Sequence, residues 1–107
     1  MRIRIPPKRI RERFLIIYEL EGCQKAVDVL TEYYGVRRMR IVFNWRKVGK
    51  RNIALYYQNK AYFTKKGLRK RTALHELYHH LVYVKALSIP NKTEEQEAYA
   101  YAKQFLG

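Results

Sequence analysis

The sequence has little cysteine, proline and glycine, and it has no long hydrophobic run. Its 107 residues include one Cys, three Pro and five Gly. The lone Cys23 excludes an internal disulfide framework and a cysteine-rich zinc knuckle, and it favours a reducing compartment. The apolar run near the basic start, Phe14 to Ile17, is far shorter than a signal-peptide core or a membrane span. We therefore expect a soluble, cytoplasmic protein in which histidine and carboxylate side chains would hold any metal.

Acidic residues are also scarce, and they are unevenly distributed. The chain has 23 Lys and Arg but nine Asp and Glu, which gives a formal net charge of +14. Residues 33–75 contain thirteen basic residues and no acidic one. Such a stretch favours an anionic partner, either a nucleic acid or a membrane surface. A solvated sheet face, whose basic side chains protect exposed strand edges, is an equally good interpretation of the same residues.

The length predicts one domain over residues 1–107, with a single core and no second lobe to close over a substrate. Apolar residues at helical spacing predict a first helix over residues 7–21 and a second between Gly22 and Gly35. From residue 36 the apolar residues alternate as far as Trp45, which predicts a strand with one basic face. Two shorter strands, residues 53–57 and 61–65, are predicted to follow.

Two more helices are predicted in the last third of the chain. Residues 68–86 lack Pro and Gly and carry Leu74, Leu77 and Leu81 along one stripe. Thr93 and Gln96 form a capping box that would open a last helix ending near residue 105. The predicted fold is therefore α+β. Two N-terminal helices precede a small, mainly antiparallel three-stranded sheet, a long helix and a C-terminal helix.

The sequence HELYH, residues 75–79, places two histidines four positions apart. On a helix this spacing puts both imidazoles on one face, where they can bind one metal ion together. Glu76 lies about 100° round the helix from His75, so it can approach a metal-bound water as a general base without ligating the metal. His80 is badly placed to share that ion, so we assign it to packing or to the surface. The alternative is that His75 and His79 are ordinary surface or core residues.

A tetrahedral catalytic zinc site needs a third protein ligand in addition to water. The last predicted helix offers Glu94, Glu95 and Glu97. Helical geometry places Glu94 and Glu95 on opposite sides of its apolar face and points Glu97 away. Carboxylates in a first turn also have an ordinary explanation, because they complement the helix dipole. Geometry alone therefore leaves Glu94 and Glu95 open as the third ligand.

Together these residues resemble the minigluzincins, a family of gluzincin-type zinc metallopeptidases. Related metallopeptidases carry an E-x-E-A-D or E-x-E-A-N motif whose first Glu is the third metal ligand, and EQEAY, residues 95–99, matches four of those positions. The resemblance therefore implies Zn²⁺ held by His75, His79 and Glu95. Tyr99 departs from the motif, because the Asp or Asn usual there supports a ligating histidine. The orientation of one histidine is left unexplained.

The resemblance covers about residues 52–106 and also implies how a substrate would bind. The sequence NIALYY, residues 52–57, is similar to the family's substrate-binding edge strand. An extended peptide or protein substrate is then expected to bind by strand addition to Ile53, Ala54, Leu55, Tyr56 and Tyr57.

The resemblance further implies latency, because family members are described as zymogens whose C-terminal segment occupies the cleft. The corresponding residues here are 101–107, YAKQFLG. Within one chain this arrangement gives a latent monomer, and by exchange between two chains it gives a swapped dimer. The competing interpretation of the whole sequence is a basic nucleic-acid-binding module whose metal motif is structural or vestigial.

Overall fold

The computed structural model describes residues 2–49 and 53–107. Its elements follow the predicted α+β layout, with two helices, a small sheet and two further helices. In chain order they are α1 (Lys8–Glu21), α2 (Cys23–Tyr34), β1 (Arg40–Phe43), the short α3 (Trp45–Val48), β2 (Ala54–Tyr57), β3 (Lys60–Phe63), α4 (Lys70–Val84) and α5 (Asn91–Leu106).

The first two helices form a hairpin, and glycines set both of its boundaries. Gly22 separates α1 from α2 at φ 96°, and its N–H donates to the carbonyl of Tyr18. Gly35 ends α2 in the left-handed conformation, at φ 68° and ψ 34°. Residues other than glycine rarely adopt this conformation, so the predicted end of the second helix is confirmed for a clear steric reason.

The sheet is mixed, with the strand order β1-β3-β2. β3 pairs in parallel with β1 and antiparallel with β2, so only one of the two pairings is of the predicted antiparallel kind. Gln58 and Asn59 join β2 to β3 at φ 43° and 69°, as a two-residue hairpin turn requires. The first strand is shorter than predicted. The backbone turns into α3 at Trp45, and Phe43, which was assigned to the apolar side, is 55% exposed.

The core lies where α4 packs on the other elements. Leu74, Leu77 and Leu81 are fully buried, which confirms the predicted apolar stripe of the long helix. From α5 the core receives Ala98, Tyr101, Ala102 and Phe105.

The predicted start of the last helix is wrong. α5 begins at Asn91 after Pro90, and no side chain caps it. Thr93 therefore lies inside the helix, and Glu94 falls in its first turn. With Thr93 as the predicted N-cap, α5 is three residues longer at its start than predicted.

The expected cytoplasmic location is based on the lone cysteine and the short apolar run of the sequence. Cys23 is free and buried, and burial raises the pKa of its thiol to about 12, so the thiol is protonated and unreactive near neutral pH. In the part of the chain that the structure describes, no helix is both long and apolar enough to cross a membrane. The location itself stays a prediction.

Candidate metal centre

α4 presents His75 and His79 on consecutive turns of the helix. Its leucines are buried in the core, which leaves the two imidazoles together on a neighbouring face. Their ring centroids are 5.0 Å apart, and their Nε2 atoms are 3.3 Å apart. The four-residue spacing therefore brings the two nitrogen donors to one point, as an ion shared between them would require.

The carboxylate of Glu95 meets the two histidines at that point. Its Oε1 lies 2.7 Å from Nε2 of His75, and its Oε2 lies 3.1 Å from Nε2 of His79. One donor atom from each of the three residues lies within 4.8 Å of the others. Two imidazole nitrogens and one carboxylate form a donor set that suits Zn²⁺ and leaves a fourth tetrahedral position open. The residues predicted as ligands are thus brought together from α4 and α5.

Glu94 contacts the opposite side of the His79 ring. The Nδ1 of His79 donates a hydrogen bond to Oε2 of Glu94. A carboxylate accepts, so this contact suits the tautomer with its proton on Nδ1, which would leave the lone pair of Nε2 for a metal. This is the tautomer that a metal ligand needs, and a carboxylate on the other nitrogen is the usual device for fixing it.

From the sequence, Glu94 was considered only as the alternative third metal ligand. In the structure it contacts Nδ1 of His79 and orients that ring. The two adjacent carboxylates, about 100° apart round α5, reach the two nitrogens of one imidazole. In the sequence, the adjacent pair of Glu residues in the first turn was the feature that could have indicated this second role.

His75 is oriented differently. Its Nδ1 is buried without a hydrogen-bond partner, and the ring centroid of Tyr99 lies 4.4 Å away. Tyr99 therefore packs on the imidazole where the related motif has a hydrogen-bonding Asp or Asn. His75 is 8% exposed, and burial is the main reason that its pKa is lowered. A lowered pKa favours the neutral imidazole that binds metal.

Glu76 lies beside this cluster and is 7% exposed. Burial, with a smaller contribution from the nearby Glu95 carboxylate, raises its pKa to about 7, although His79 acts in the opposite direction. Glu76 lines the same cavity as His75 and Glu95. A carboxyl group with a pKa near the working pH is well suited to accept and return a proton.

His80 has a structural role, which confirms its assignment to packing. It is fully buried, and its Nε2 donates to the carbonyl of Arg37 at 2.7 Å. Its Nδ1 is then free to accept from the hydroxyl of Tyr56, also at 2.7 Å. Because Tyr56 belongs to β2, this histidine ties the edge strand to the helix that carries the metal-ligand candidates.

β2 is an edge strand, as the resemblance implied for the substrate-binding segment. It pairs with β3 on one side, and no other strand among the described residues pairs with its second edge. Along it, Leu55 and Tyr57 are exposed, whereas Ala54 and Tyr56 pack partly against the core. Ile53 precedes the strand and is exposed. A free edge with alternating side chains is the geometry that strand addition uses.

Gly67 holds the start of this strand against the loop that leads to α4. A Cβ at Gly67 would lie 2.2 Å from the carbonyl oxygen of Ile53 and 2.8 Å from its Cβ. The same carbonyl accepts from the N–H of Thr64 at 3.3 Å. Any side chain at Gly67 must therefore displace the backbone at the start of β2.

We expect Gly67→Ala to lower the free energy of unfolding by about 1–3 kcal/mol, the usual cost of overpacking. Amide hydrogen exchange should become faster in β2, because the contact at Ile53 is lost. Gly35→Ala is the matched control, since its Cβ meets no atom but must adopt φ 68°. The strain of an alanine in this left-handed conformation should lower the free energy of unfolding by about 1–2 kcal/mol. Unchanged β2 exchange in the Gly67 variant would contradict the prediction.

The cluster opens into two cavities at opposite ends of β2. One, of about 620 Å³, is lined mainly by aromatic and apolar side chains, including Tyr57, Val82 and Tyr83, and reaches His79 and Glu94. The other, of about 500 Å³, reaches Ile53, His75, Glu76 and Glu95. A peptide that extends β2 would therefore pass the histidines with one cavity on each side.

The C-terminal segment, residues 101–107, contributes three side chains to the core. Residues 101–106 form the end of α5, where Tyr101, Ala102 and Phe105 are buried. The ring of Phe105 packs edge-on against Phe14, with centroids 5.2 Å apart. No residue of the segment 101–107 lines either cavity beside the cluster. Within one chain, this segment does not occupy the cleft in the way that the latency expectation requires.

Glu97 also differs from its predicted placement away from the packed face. It accepts a hydrogen bond from the hydroxyl of Tyr78 at 2.6 Å and pairs with the guanidinium of Arg2. These contacts lower the pKa of its carboxyl group, with the Tyr78 hydrogen bond as the largest cause. Glu97 thus ties the N-terminal segment to α4 and α5 and takes no part in the metal cluster.

The acid-free stretch presents exposed basic side chains on several elements. The exposed basic residues include Arg37, Arg40, Lys60 and Lys66. Arg38 forms an ion pair with Asp28, at 3.0 Å. This arrangement fits both a solvated surface and an anion-binding one. An anionic partner, whether nucleic acid or membrane surface, stays a prediction.

No protein-family model matches the chain. Comparison with curated proteins found no match, and comparison with solved structures found none either.

Proposed function

We propose that this protein is a zinc-dependent metallopeptidase of the gluzincin type, similar to the minigluzincins. The observation that carries the proposal is the convergence of His75, His79 and Glu95 on one point. A buried carboxyl group with a pKa of about 7, Glu76, lies beside that point. An edge strand able to hold an extended peptide lies next to both. Each feature occurs alone in many proteins, and their combination suits peptide hydrolysis.

His75 and His79 would bind the metal through Nε2, and Glu95 would bind it through its carboxylate. The Nδ1 contact from His79 to Glu94 supports this, because it leaves the Nε2 lone pair directed at the other two donors. A bound Zn²⁺ would act as a Lewis acid that polarises the peptide carbonyl and lowers the pKa of water toward about 7.

Glu76 would act as the general base and then as the general acid. It would take a proton from the attacking water and later give that proton to the amine that leaves. No described residue forms a hydrogen bond with its carboxylate, so both oxygens are available for this transfer. β2 would hold the substrate through main-chain hydrogen bonds, and the Tyr56–His80 hydrogen bond would keep that strand in position.

The proposal does not include a cleft blocked by the chain's own C-terminal segment, because Tyr101 and Phe105 of that segment are buried in the core. A swapped dimer and a cytoplasmic location are both compatible with the proposal and are expectations from the resemblance and from the lone cysteine.

The test is metal-dependent cleavage of an unfolded protein substrate. Chelation should abolish cleavage, and one equivalent of Zn²⁺ should restore it. Glu95→Ala should lose both bound zinc and activity, because two histidines alone leave the site incomplete. Glu94→Gln should weaken zinc binding by about 10- to 100-fold, the usual effect of removing a carboxylate that orients a ligand.

Zinc content per chain and cleavage rate should both be measured, so that binding and chemistry are separated. Glu21→Gln is the matched control, because this exposed carboxylate lies on α1, away from the cluster. Zinc retained by Glu95→Ala but lost from Glu94→Ala would contradict the ligand assignment. Stoichiometric zinc without cleavage of any substrate would contradict the peptidase proposal.

A further inference from the structure

The cavity beside His75 and Glu76 carries two arginines on its rim. Arg69 and Arg71 both line it, together with Ile53, Ala54 and Tyr99. Both arginines are exposed to solvent. Among residues 2–49 and 53–107, no carboxylate lies within ion-pair distance of either guanidinium. By contrast, the intervening Lys70 is paired with Glu19. Two arginines without an ion pair therefore border a cavity that also contains the carboxyl groups of Glu76 and Glu95, at the candidate catalytic cluster.

The rim that carries these arginines is held in place by backbone contacts. The N–H of Arg69 donates to Oγ1 of Thr72 at 3.0 Å. The hydroxyl of Thr72 in turn donates to the carbonyl of Gly67. Gly67 touches Ile53 so closely that a Cβ there would collide with it. The start of α4 and the start of β2 are therefore fixed relative to each other, and the cavity between them is a built feature.

Basic residues at this place do not serve helix stability. α4 has no acidic residue in its first turn. Cations near a helix N-terminus oppose the helix dipole, whereas acidic residues there would be stabilising. The positive charge at the cavity rim thus opposes local helix stability, and local conflicts of this kind are typical of functional sites.

The direction of a bound peptide decides which of its side chains reaches this cavity. β2 runs from Ala54, beside the arginine-lined cavity, to Tyr57, beside the aromatic cavity. Antiparallel pairing is slightly more stable per residue than parallel pairing, so we take it for the added peptide. Its residues before the cleaved bond would then lie toward Tyr57. Its residues after the bond would lie toward Ala54 and the arginines.

We propose that the arginine-lined cavity binds an Asp or Glu side chain on the C-terminal side of the cleaved bond. The substrate class is thus a peptide with an acidic residue directly after the cleavage point. The aromatic cavity, lined by Tyr57, Val82 and Tyr83, receives an apolar side chain from before it. This inference rests on the proposed peptidase function, because it assigns a subsite of the same cleft.

The experiment uses zinc-loaded full-length protein and a set of peptides that differ only in having Glu, Gln or Lys at one position. Affinity is measured by fluorescence anisotropy with the Glu76→Gln protein, and cleavage sites are mapped with the wild type by mass spectrometry. A charge-assisted contact is expected to favour the Glu peptide over the Gln peptide by about tenfold, both in binding affinity and in the amount of peptide cleaved. Arg71→Glu should remove this preference and favour Lys.

A basic protein attracts any acidic peptide, so the control must match the change of net charge. Arg13→Glu provides it, because Arg13 is exposed on α1 and lines neither cavity. The preference for Glu should persist in this variant. Equal effects of Arg13→Glu and Arg71→Glu would show general attraction and would overturn the subsite.

The remaining outcomes separate the subsite from the peptidase function. Cleavage without any preference for Glu would overturn the subsite and leave the peptidase proposal intact. A tenfold preference in binding that depends on Arg71, without cleavage of any peptide, would support the acidic subsite and overturn the peptidase proposal. Cleavage mapped directly after the Glu residue would overturn the proposed placement after the bond.

Discussion

Glu76→Gln is expected to lower kcat/KM for peptide cleavage by about 10²- to 10⁴-fold, the range that general acid–base catalysis contributes. The amide of Gln keeps the size and shape of the side chain but cannot take a proton from water. Because Glu76 is buried near the cluster without ligating it, zinc content should stay at the wild-type level. Initial rates with a fluorogenic peptide and zinc content per chain measure the two effects separately.

Stability distinguishes this variant from one that merely misfolds. Burial raises the pKa of Glu76 to about 7, which means that its charged form is unfavourable in the folded protein. Replacing it with a neutral amide should therefore leave the free energy of unfolding unchanged or raise it. Full activity in Glu76→Gln would exclude this residue as the base. Loss of zinc together with activity would instead place Glu76 among the ligands.

The candidate site was largely predictable because its decisive spacing is local in sequence. A four-residue separation on an amphipathic helix fixes the relative position of His75 and His79 whatever surrounds them. Helical geometry alone left Glu94 and Glu95 open, because it places both beside the same apolar face, and the choice of Glu95 came from the resemblance of EQEAY to the related motif. The structure uses both carboxylates, one on each side of the His79 ring.

The features that the local sequence pattern did not predict depend on contacts between residues that are far apart in the chain. β1 lies parallel to β3, and alternation of apolar residues gives no information about which strands pair. Glu97 was assigned away from the packed face because neither of its partners, Tyr78 of α4 and Arg2, is close to it in sequence. α5 begins three residues before its predicted start, because Pro90 precedes the first helical turn.

Removing residues 101–107 is expected to unfold the protein rather than activate it. The deletion takes Tyr101 and Phe105 from the core, and it breaks the hydrogen bond between the hydroxyls of Tyr101 and Tyr34, 2.9 Å apart. Loss of a buried Phe side chain alone costs about 3–5 kcal/mol. Whole domains are stable by only about 5–15 kcal/mol. Circular dichroism with urea titration measures the loss.

Point variants separate the loss of packing from the loss of a blocking segment. Phe105→Ala should lower the free energy of unfolding by about 3–5 kcal/mol, because it leaves a cavity against Phe14. Leu106→Ala is the control within the same turn, since Leu106 is 39% exposed and should lose less than about 1 kcal/mol. A trimmed protein that unfolds cooperatively at wild-type urea concentrations and cleaves peptides faster would contradict this. Such a result would mean that α5 ends outside the core in solution and that latency operates through exchange of this segment between chains.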